Sequence, residues 1–296
     1  MNLLQFIKKF PNEQSCKAHF IESRIQQGIE CKKCSTIEHY WLKSKCQFQC
    51  KRCKFRTTLR SGTILQSSKL PYKYWYITAH LMSSTKKGFS AHEVQRQLGH
   101  NRYEPIWLMM QKVRTAMGKS ERNSVLKGMV EMDEAYISTH TPKKLKERLK
   151  RGKGSQKKQK IMVMAESFPL ENNQGFTSKF CGKFSMQVNK SELKEAVNEM
   201  VSKTINSKTI LFTDMAKSYV DLNKIVDTHI MEKSSVSWDS TLQWSHIAIA
   251  NLKRNLLGVY HFVKNEYLQG YLDEFCYKLN RRKQKDLFQN LILDLI

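Results

Sequence analysis

The segment "VLKGMVEMDEAYIS", residues 125–138, is an apolar run that contains three carboxylates. Turn-forming residues precede the run, and its composition predicts a β-strand. Asp133 lies inside this strand, where an aspartate has low β propensity and is costly to bury unless it is paired or binds a metal. Asp133 is therefore the first candidate for a functional side chain.

The segments that follow predict further strands and two helices. Strands are expected in residues 160–168, 176–188, 209–220 and 227–233, and helices in residues 189–205 and 241–258. Several strands, then a helix, a strand and a helix indicate an α/β domain with a mixed sheet. We expect this domain to span residues 124–296 of an α+β, multidomain chain.

Asp214 ends the predicted strand "TILFTD", residues 209–214. Two aspartates on neighbouring strands can hold divalent cations, because Mg²⁺ favours carboxylate oxygens together with substrate phosphates. A pair of such ions would activate an attacking oxygen and stabilise the leaving one. The alternative is that Asp214 simply begins a turn, as aspartates at strand ends commonly do.

The segment "TLQWSHIAIANLKRNLLG", residues 241–258, reads as an amphipathic helix with two polar groups on one side. His246 and Lys253 are seven residues apart, which is close to two turns, so they share a face about 10 Å apart along the axis. The alternative interpretation is a surface face with an isolated histidine.

Five of the eight cysteines lie within residues 31–53, which is typical of a metal site rather than a chain-wide disulfide framework. Two C-x-x-C pairs, separated by fifteen residues, would direct four thiolates at one tetrahedral, structural zinc ion. The predicted ligands are Cys31, Cys34, Cys50 and Cys53. We expect a zinc ribbon at residues 29–66, in which Cys46 is not a zinc ligand. The alternative is a set of reduced, buried cysteines.

Helical segments surround this ribbon, with a lead-in at residues 1–28 and a helical region at residues 70–120. In the second region Ser90 followed by Glu93 predicts the start of a short helix, and Gly99 predicts its end. A short helix, a tight turn and a further helix fit a helix-turn-helix for DNA. An ordinary three-helix bundle fits the pattern equally well.

The net charge of +25, from 51 Lys and Arg against 26 Asp and Glu, favours a polyanionic partner such as nucleic acid. A membrane surface is the competing partner, but no apolar run approaches the roughly 20 residues needed to span a bilayer. The segment "MNLLQFIKKFPNEQ" at residues 1–14 lacks the features of a signal peptide. We therefore expect a soluble intracellular protein.

The most basic stretch, residues 143–160, has ten basic residues and one acid. We expect a mobile loop that contacts phosphates, since such a block repels itself when it is free. Its candidate DNA-binding residues are Lys150, Arg151 and Lys153. The alternative is a charge run that is merely solvated.

Five features occur in a fixed order along nearly the whole chain. The zinc ribbon is followed by "VEMDEAYI", "FTDMAKSY", "WSHIAIANLKRNLLGVYH" and "YLQGYLDEFCYKLNRR". Together they resemble the ISXO-like insertion-sequence transposases, which join a zinc ribbon to a ribonuclease-H-like DDE domain.

The resemblance implies DNA cleavage and strand transfer at the terminal inverted repeats of an insertion sequence, with Mg²⁺ or Mn²⁺ as the catalytic cofactor. The implied partners are double-stranded DNA of the repeats and of the target, and further copies of the chain in a homodimer or larger assembly. No membrane is involved, and the implied location is the nucleoid in the cytoplasm of a bacterium or archaeon.

Carried over to this chain, the resemblance makes Asp133 and Asp214 the first and second catalytic carboxylates. The third position, usually Glu, lies seven residues before a helical lysine; Lys253 matches the lysine, which places His246 third. A neutral imidazole suits Mn²⁺ better than Mg²⁺, and it can also shuttle a proton. Lys253 and its neighbour Arg254 are expected to contact DNA.

Strand alternation puts Glu131 on the face of Asp133 and Glu134 on the other face, so Glu131 is a candidate accessory carboxylate. Two other functions compete with an active transposase. His246 leaves open a transposase-derived DNA-binding protein that no longer cuts. A zinc-ribbon transcription factor with an unrelated second domain would explain the charge but not the ordered Asp, Asp, His, Lys pattern.

Overall fold

The computed structural model describes residues 1–140, 155, 157–171, 177–189, 191, 193–232, 242–261 and 263–296. Within these residues the chain forms two compact units, Met1–Ala116 with Gln284–Ile296, and Met117–Lys283. Most of the predicted basic loop lies outside the described residues, including Lys150, Arg151 and Lys153. In the described part of the chain, no helix is long and apolar enough to cross a bilayer.

The first unit combines helices with a small antiparallel sheet of order β1-β2-β3. Its elements up to the second unit are α1 (Leu3–Lys9), α2 (Glu13–Gln27), β1 (His39–Leu42), β2 (Gln47–Cys50), β3 (Arg56–Thr58), α3 (Tyr72–Ser84), α4 (Ala91–Leu98) and the start of α5 (Tyr103–Arg122). The last residues of α5, from Met117 onward, belong to the second unit. The three short strands all lie within residues 29–66, where the zinc ribbon was predicted.

The three helices expected in residues 70–120 are α3, α4 and α5. Ser90 begins α4 because its hydroxyl accepts the backbone N–H of Glu93 at 3.1 Å. Gly99 ends α4 in the left-handed conformation with φ of 60°, which a glycine adopts without a steric penalty. These local patterns were sufficient to predict both ends of the helix.

The last helix, α9 (Leu287–Asp294), belongs to the first unit, whereas the sequence predicted a second domain that runs to residue 296. The physical reason is an aromatic cluster, in which the ring of Phe288 lies 5.5 Å from Phe6 and 5.7 Å from Phe10. These contacts join the two ends of the chain, and local patterns do not reveal them.

The second unit is built on a five-stranded sheet of order β6-β5-β4-β7-β8. The sheet is mixed, as the sequence predicted. Strand β4 pairs antiparallel with β5 and parallel with β7. The elements are β4 (Met129–Ser138), β5 (Lys158–Glu171), β6 (Thr177–Val188), α6 (Lys194–Thr204), β7 (Ile210–Thr213), β8 (Thr228–Met231), α7 (Gln243–Asn255) and α8 (Leu268–Asn280).

Apolar side chains cover both faces of this sheet. On one face Ala135 and Ile137 of β4 pack with residues of α7 and α8, such as Leu252. On the other face Val130 and Met132 of β4 belong to a second core with residues of α6. Since successive side chains point to opposite faces, a carboxylate at an odd-numbered position of β4 lies beneath α7.

Two amide side chains of α8 bind the backbone of the edge strand β6. The side chain of Asn280 accepts the N–H of Phe184 at 2.7 Å and donates to its carbonyl at 2.8 Å. The side chain of Gln269 accepts the N–H of Val188 at 2.9 Å. The motif "YLQGYLDEFCYKLNRR" therefore satisfies polar groups at a sheet edge, where unpaired groups favour aggregation.

The Asp273 carboxyl group lies in a tight contact between α8 and α5. A Cβ atom at Gly118 would overlap the Asp273 carboxylate, so a larger residue at this position requires the Asp273 side chain to move. Burial raises the pKa of Asp273 to about 6, although Gln269 donates a hydrogen bond to it at 2.8 Å.

The raised pKa of Asp273 predicts a pH dependence of stability. An aspartate has a pKa of about 3.9 in the unfolded chain, so the folded state binds the proton more tightly and loses stability as pH rises through about 6. Relative to the wild type, Asp273→Asn should gain up to about 3 kcal/mol in the free energy of unfolding between pH 4 and pH 7. Denaturant titrations at several pH values measure this difference, with the exposed Asp227→Asn as control. If the free energy of unfolding changed with pH in the same way for wild type and Asp273→Asn, the prediction would be contradicted.

Candidate active site and zinc centre

The two C-x-x-C segments have the same backbone geometry. The N–H of Ser35 donates to the Cys31 carbonyl at 2.8 Å, and the N–H of Lys54 donates to the Cys50 carbonyl at 3.1 Å. Both Ser35 and Lys54 have a positive φ, of 55° and 60°. Each segment is thus a tight turn that directs its two thiols to the same side.

The four sulfur atoms of these turns converge on one point, and all lie within 4.8 Å of one another. The Sγ atoms of Cys31 and Cys53 are 3.5 Å apart, far beyond a disulfide bond length of about 2.05 Å. A tetrahedron of sulfurs around zinc, with Zn–S bonds of about 2.3 Å, has edges of about 3.8 Å. The cysteine cluster therefore fits a zinc ion.

Cys46 and Thr36 lie near the cluster but are not part of it. Cys46 is not part of the cluster, as expected, and its Sγ accepts a contact from Lys17 Nζ at 3.2 Å. Hydrogen bonding with the side chain and backbone of Thr36 lowers the pKa of the Cys34 thiol to about 6. A lowered pKa favours the thiolate, which is the form that binds metal.

Asp133 and Asp214 occupy matching positions of two neighbouring strands. Met132 of β4 is paired with Thr213 of β7 in a parallel ladder, and the two aspartates are the next residues. In β4 the aspartate lies within the strand, whereas in β7 it follows the last strand residue. The structure thus brings both predicted carboxylates to one region of the sheet.

Asp133 contacts the helix that carries His246. Its Oδ2 lies 3.1 Å from His246 Nε2, and its Oδ1 accepts the backbone N–H of Glu134 at 2.7 Å. Burial raises the pKa of Asp133 and the nearby Asp214 carboxylate adds to this, while the Glu134 N–H and His246 act in the opposite direction. Burial and the neighbouring groups therefore shift the pKa of this carboxyl group in opposite directions.

Asp214 is half-buried and also shapes the chain that follows β7. Its Oδ1 accepts the N–H of Ala216 at 3.2 Å, so it does begin a turn, as the alternative interpretation held. Among the described residues, only the cysteine cluster brings three or more donor atoms within 4.8 Å of one another. Asp133 and His246 are thus in contact, and Asp214 stands further from that pair.

Lys253 and Arg254 lie on α7, and both are exposed. Arg254 donates a hydrogen bond to the Asn251 side chain at 2.6 Å, within the same helix. His246 and Lys253 belong to the same continuous helix, so the predicted spacing of about two turns is present. Lys253 is exposed at its end of this face, whereas the His246 side chain is mostly buried beside Asp133.

Glu131 contacts the start of α7. Its Oε2 accepts the backbone N–H groups of Trp244 at 2.7 Å and Ser245 at 3.1 Å. Its side chain is 0% exposed, and burial raises its pKa despite these hydrogen bonds. Strand alternation predicts the correct face for Glu131 but not this contact. The one local indication is Leu242, whose side chain cannot cap a helix.

Glu134 lies on the opposite face of β4, as strand alternation predicted. Its carboxylate forms an ion pair with Lys160 Nζ at 2.6 Å. Lys160 belongs to the neighbouring strand β5, on the face of the α6 core. The two glutamates that flank Asp133 therefore have separate partners, on opposite sides of the sheet.

Comparison with known proteins identifies the second unit. Residues 125–280 match the family described as the ISXO2-like transposase domain, which is more than half of the 296-residue chain. The match includes every candidate residue of β4, β7 and α7 described above. No curated protein matches the chain significantly.

The cysteine cluster predicts about one zinc ion per chain, bound by four thiolates. Replacing Cys31 or Cys50 by serine should release the metal and lower the melting temperature, because structural zinc contributes directly to folding. Elemental analysis of purified protein and thermal unfolding measure both effects. Cys46→Ser is the matched control and should retain zinc; equal loss from this variant would contradict the assignment.

Proposed function

The chain belongs to the family of ISXO2-like transposase domains, and from this we propose that it cuts DNA at the terminal inverted repeats of an insertion sequence and joins the ends to target DNA. The observation that carries the proposal is the juxtaposition in the second unit. Asp133 lies 3.1 Å from His246 and beside the parallel strand β7, which Asp214 directly follows.

The donor set fits a divalent cation. Asp133 and Asp214 offer hard oxygen ligands, as Mg²⁺ and Mn²⁺ prefer, and His246 adds a nitrogen that favours Mn²⁺. Asp133 is buried beside a second carboxylate, an arrangement that a cation would stabilise. When bound, such an ion supplies Lewis-acid stabilisation of the charge that develops at the scissile phosphate.

The side chains themselves have distinct tasks in this proposal. Asp133 and Asp214 would hold the cation, because the pairing of Met132 with Thr213 sets the two residues that follow side by side. His246, which contacts Asp133 through Nε2, either completes the ligand set or accepts a proton from the attacking hydroxyl. Because an imidazole adds no negative charge, this set holds a cation less strongly than three carboxylates would.

Lys253 is proposed to bind a phosphate near the cleavage point. Its position about 10 Å along α7 from His246 matches the helical lysine of the related transposases. Arg254 and the basic segment that includes Lys150, Arg151 and Lys153 would extend the contact along the DNA. The net charge of +25 supports a polyanionic partner.

The remaining parts of the proposal concern architecture and assembly. The second unit, with its mixed sheet between two helical layers, supports a ribonuclease-H-like DDE domain. The zinc ribbon and the helices α3 to α5 would recognise the repeat. Two element ends must be held together for transposition, so we propose a homodimer or larger assembly on DNA, in the bacterial or archaeal cytoplasm.

A second function is favoured by one observation. His246 already pairs with Asp133, so the contact is satisfied without a cation. A transposase-derived protein that binds the repeats but does not cut would retain this pair. The two functions differ in a single readout, which is metal-dependent cleavage.

We expect Asp133→Asn and Asp214→Asn each to lower strand cleavage by more than about 100-fold, since loss of outer partners alone costs metal sites 10–100-fold. The assay uses labelled DNA that carries the inverted repeats flanking the gene, with Mg²⁺ or Mn²⁺. The exposed Asp227→Asn serves as control and should cut at the wild-type rate. Binding without cleavage in wild type and variants alike would establish the non-cutting alternative.

We expect Lys253→Ala to weaken DNA binding and to reduce the slope of log K against log salt by about 1, the signature of one lost phosphate contact. Binding isotherms at several salt concentrations measure the slope. Lys203→Ala removes another exposed helical lysine, on α6, and should leave the slope unchanged. Equal slopes for wild type and Lys253→Ala would show that Lys253 does not contact phosphate.

A further inference from the structure

Among the described residues, the N-cap position of the helix that carries His246 supplies no side-chain hydrogen bond. Leu242 precedes α7 and has no side-chain hydrogen-bond acceptor, while the first N–H groups of a helix have no partner within it. Glu131 supplies the missing acceptor from β4, 113 positions away in the sequence from Trp244. A carboxylate at this end of a helix also interacts favourably with the helix dipole.

We propose that Glu131 is a positioning residue, which fixes the start of α7 on β4 and thereby sets the place of His246 at Asp133. This inference rests on the transposase function proposed above. It replaces the expectation that Glu131 is an accessory metal ligand.

Strand β4 and helix α7 are joined by two neighbouring contacts, one made by Glu131 and the other by Asp133. Glu131 and Asp133 are two residues apart on one face of β4, which separates them by about 6.8 Å. On the helix, Ser245 and His246 are consecutive. A shift of α7 by one residue would turn His246 by about 100° around the helix axis and remove it from Asp133.

The contacts of Glu131 explain why it does not serve as a metal ligand. Its Oε2 accepts two backbone N–H groups, and Lys179 Nζ lies 3.7 Å from Oε1. With the side chain 0% exposed, neither oxygen is open to a hydrated cation. The negative charge is instead stabilised by the helix start and by the lysine.

The chain offers a closely matched control in Glu166 of β5. Its carboxylate is also buried and also accepts two backbone N–H groups, from Lys127 at 3.1 Å and Lys183 at 2.8 Å. Neither of these partners belongs to α7. Glu166→Gln therefore reports the general cost of weakening a buried carboxylate contact.

The test is a double-mutant cycle on the rate of strand cleavage with Mn²⁺. Glu131→Gln should lower the rate about tenfold in the wild-type background, as expected for an outer residue that orients a ligand. In the His246→Ala background it should lower the rate less than twofold, because the residue it positions is absent. Glu166→Gln should lower thermal stability by a similar amount and leave the rate within twofold of wild type.

A tenfold loss from Glu131→Gln in both backgrounds, or an equal loss from Glu166→Gln, would overturn the proposal. If His246→Ala abolishes cleavage altogether, the cycle cannot be measured. Amide hydrogen exchange then tests whether Glu131 holds the start of α7. Glu131→Gln should speed exchange in the first turn of α7 at least tenfold more than Glu166→Gln does, and equal exchange in both variants would overturn it. If Asp133→Asn cleaved DNA at the wild-type rate, the proposed active site would be refuted. The exchange experiment would still decide the role of Glu131.

Discussion

The cost of burying carboxylates on β4 is the constraint on which the second unit depends. Glu131 and Asp133 lie beneath α7, on the face of β4 where Ala135 and Ile137 belong to an apolar core. A carboxylate in such a place is stable only when polar groups or charges surround it. The start of α7 meets this need for Glu131, and His246 meets it for Asp133, so the same two contacts attach the helix to the sheet.

This arrangement connects stability with the proposed chemistry. The central strand β4 is held on both sides by backbone pairing, which places Asp133 beside the end of β7 with little freedom. Helix α7 is anchored at its N-terminus and projects Lys253 into solvent two turns beyond His246. A rigid pair of strands and an anchored helix are well suited to hold a cation and a phosphate at fixed positions.

Local patterns in the sequence were sufficient for much of the fold and for the four-cysteine cluster. The cysteine spacing predicted the cluster, Ser90 and Gly99 predicted the ends of α4, and alternation placed Glu131 and Asp133 on one face. What remained hidden depends on distant parts of the chain. Glu131 binds backbone groups 113 positions away, and Phe288 packs against Phe6, so that α9 joins the first unit. The catalytic roles of Asp133, Asp214 and His246 stay predictions, because they depend on DNA and a cation.

The most direct measurement is anomalous X-ray scattering from crystals grown with Mn²⁺. The proposed active site predicts an anomalous peak in bonding contact with carboxylate oxygens of Asp133 and Asp214, with His246 Nε2 turned towards the ion or towards its bound water. A crystal at high Mn²⁺ concentration that shows no peak there, and that keeps Nε2 of His246 about 3 Å from Asp133, would contradict it.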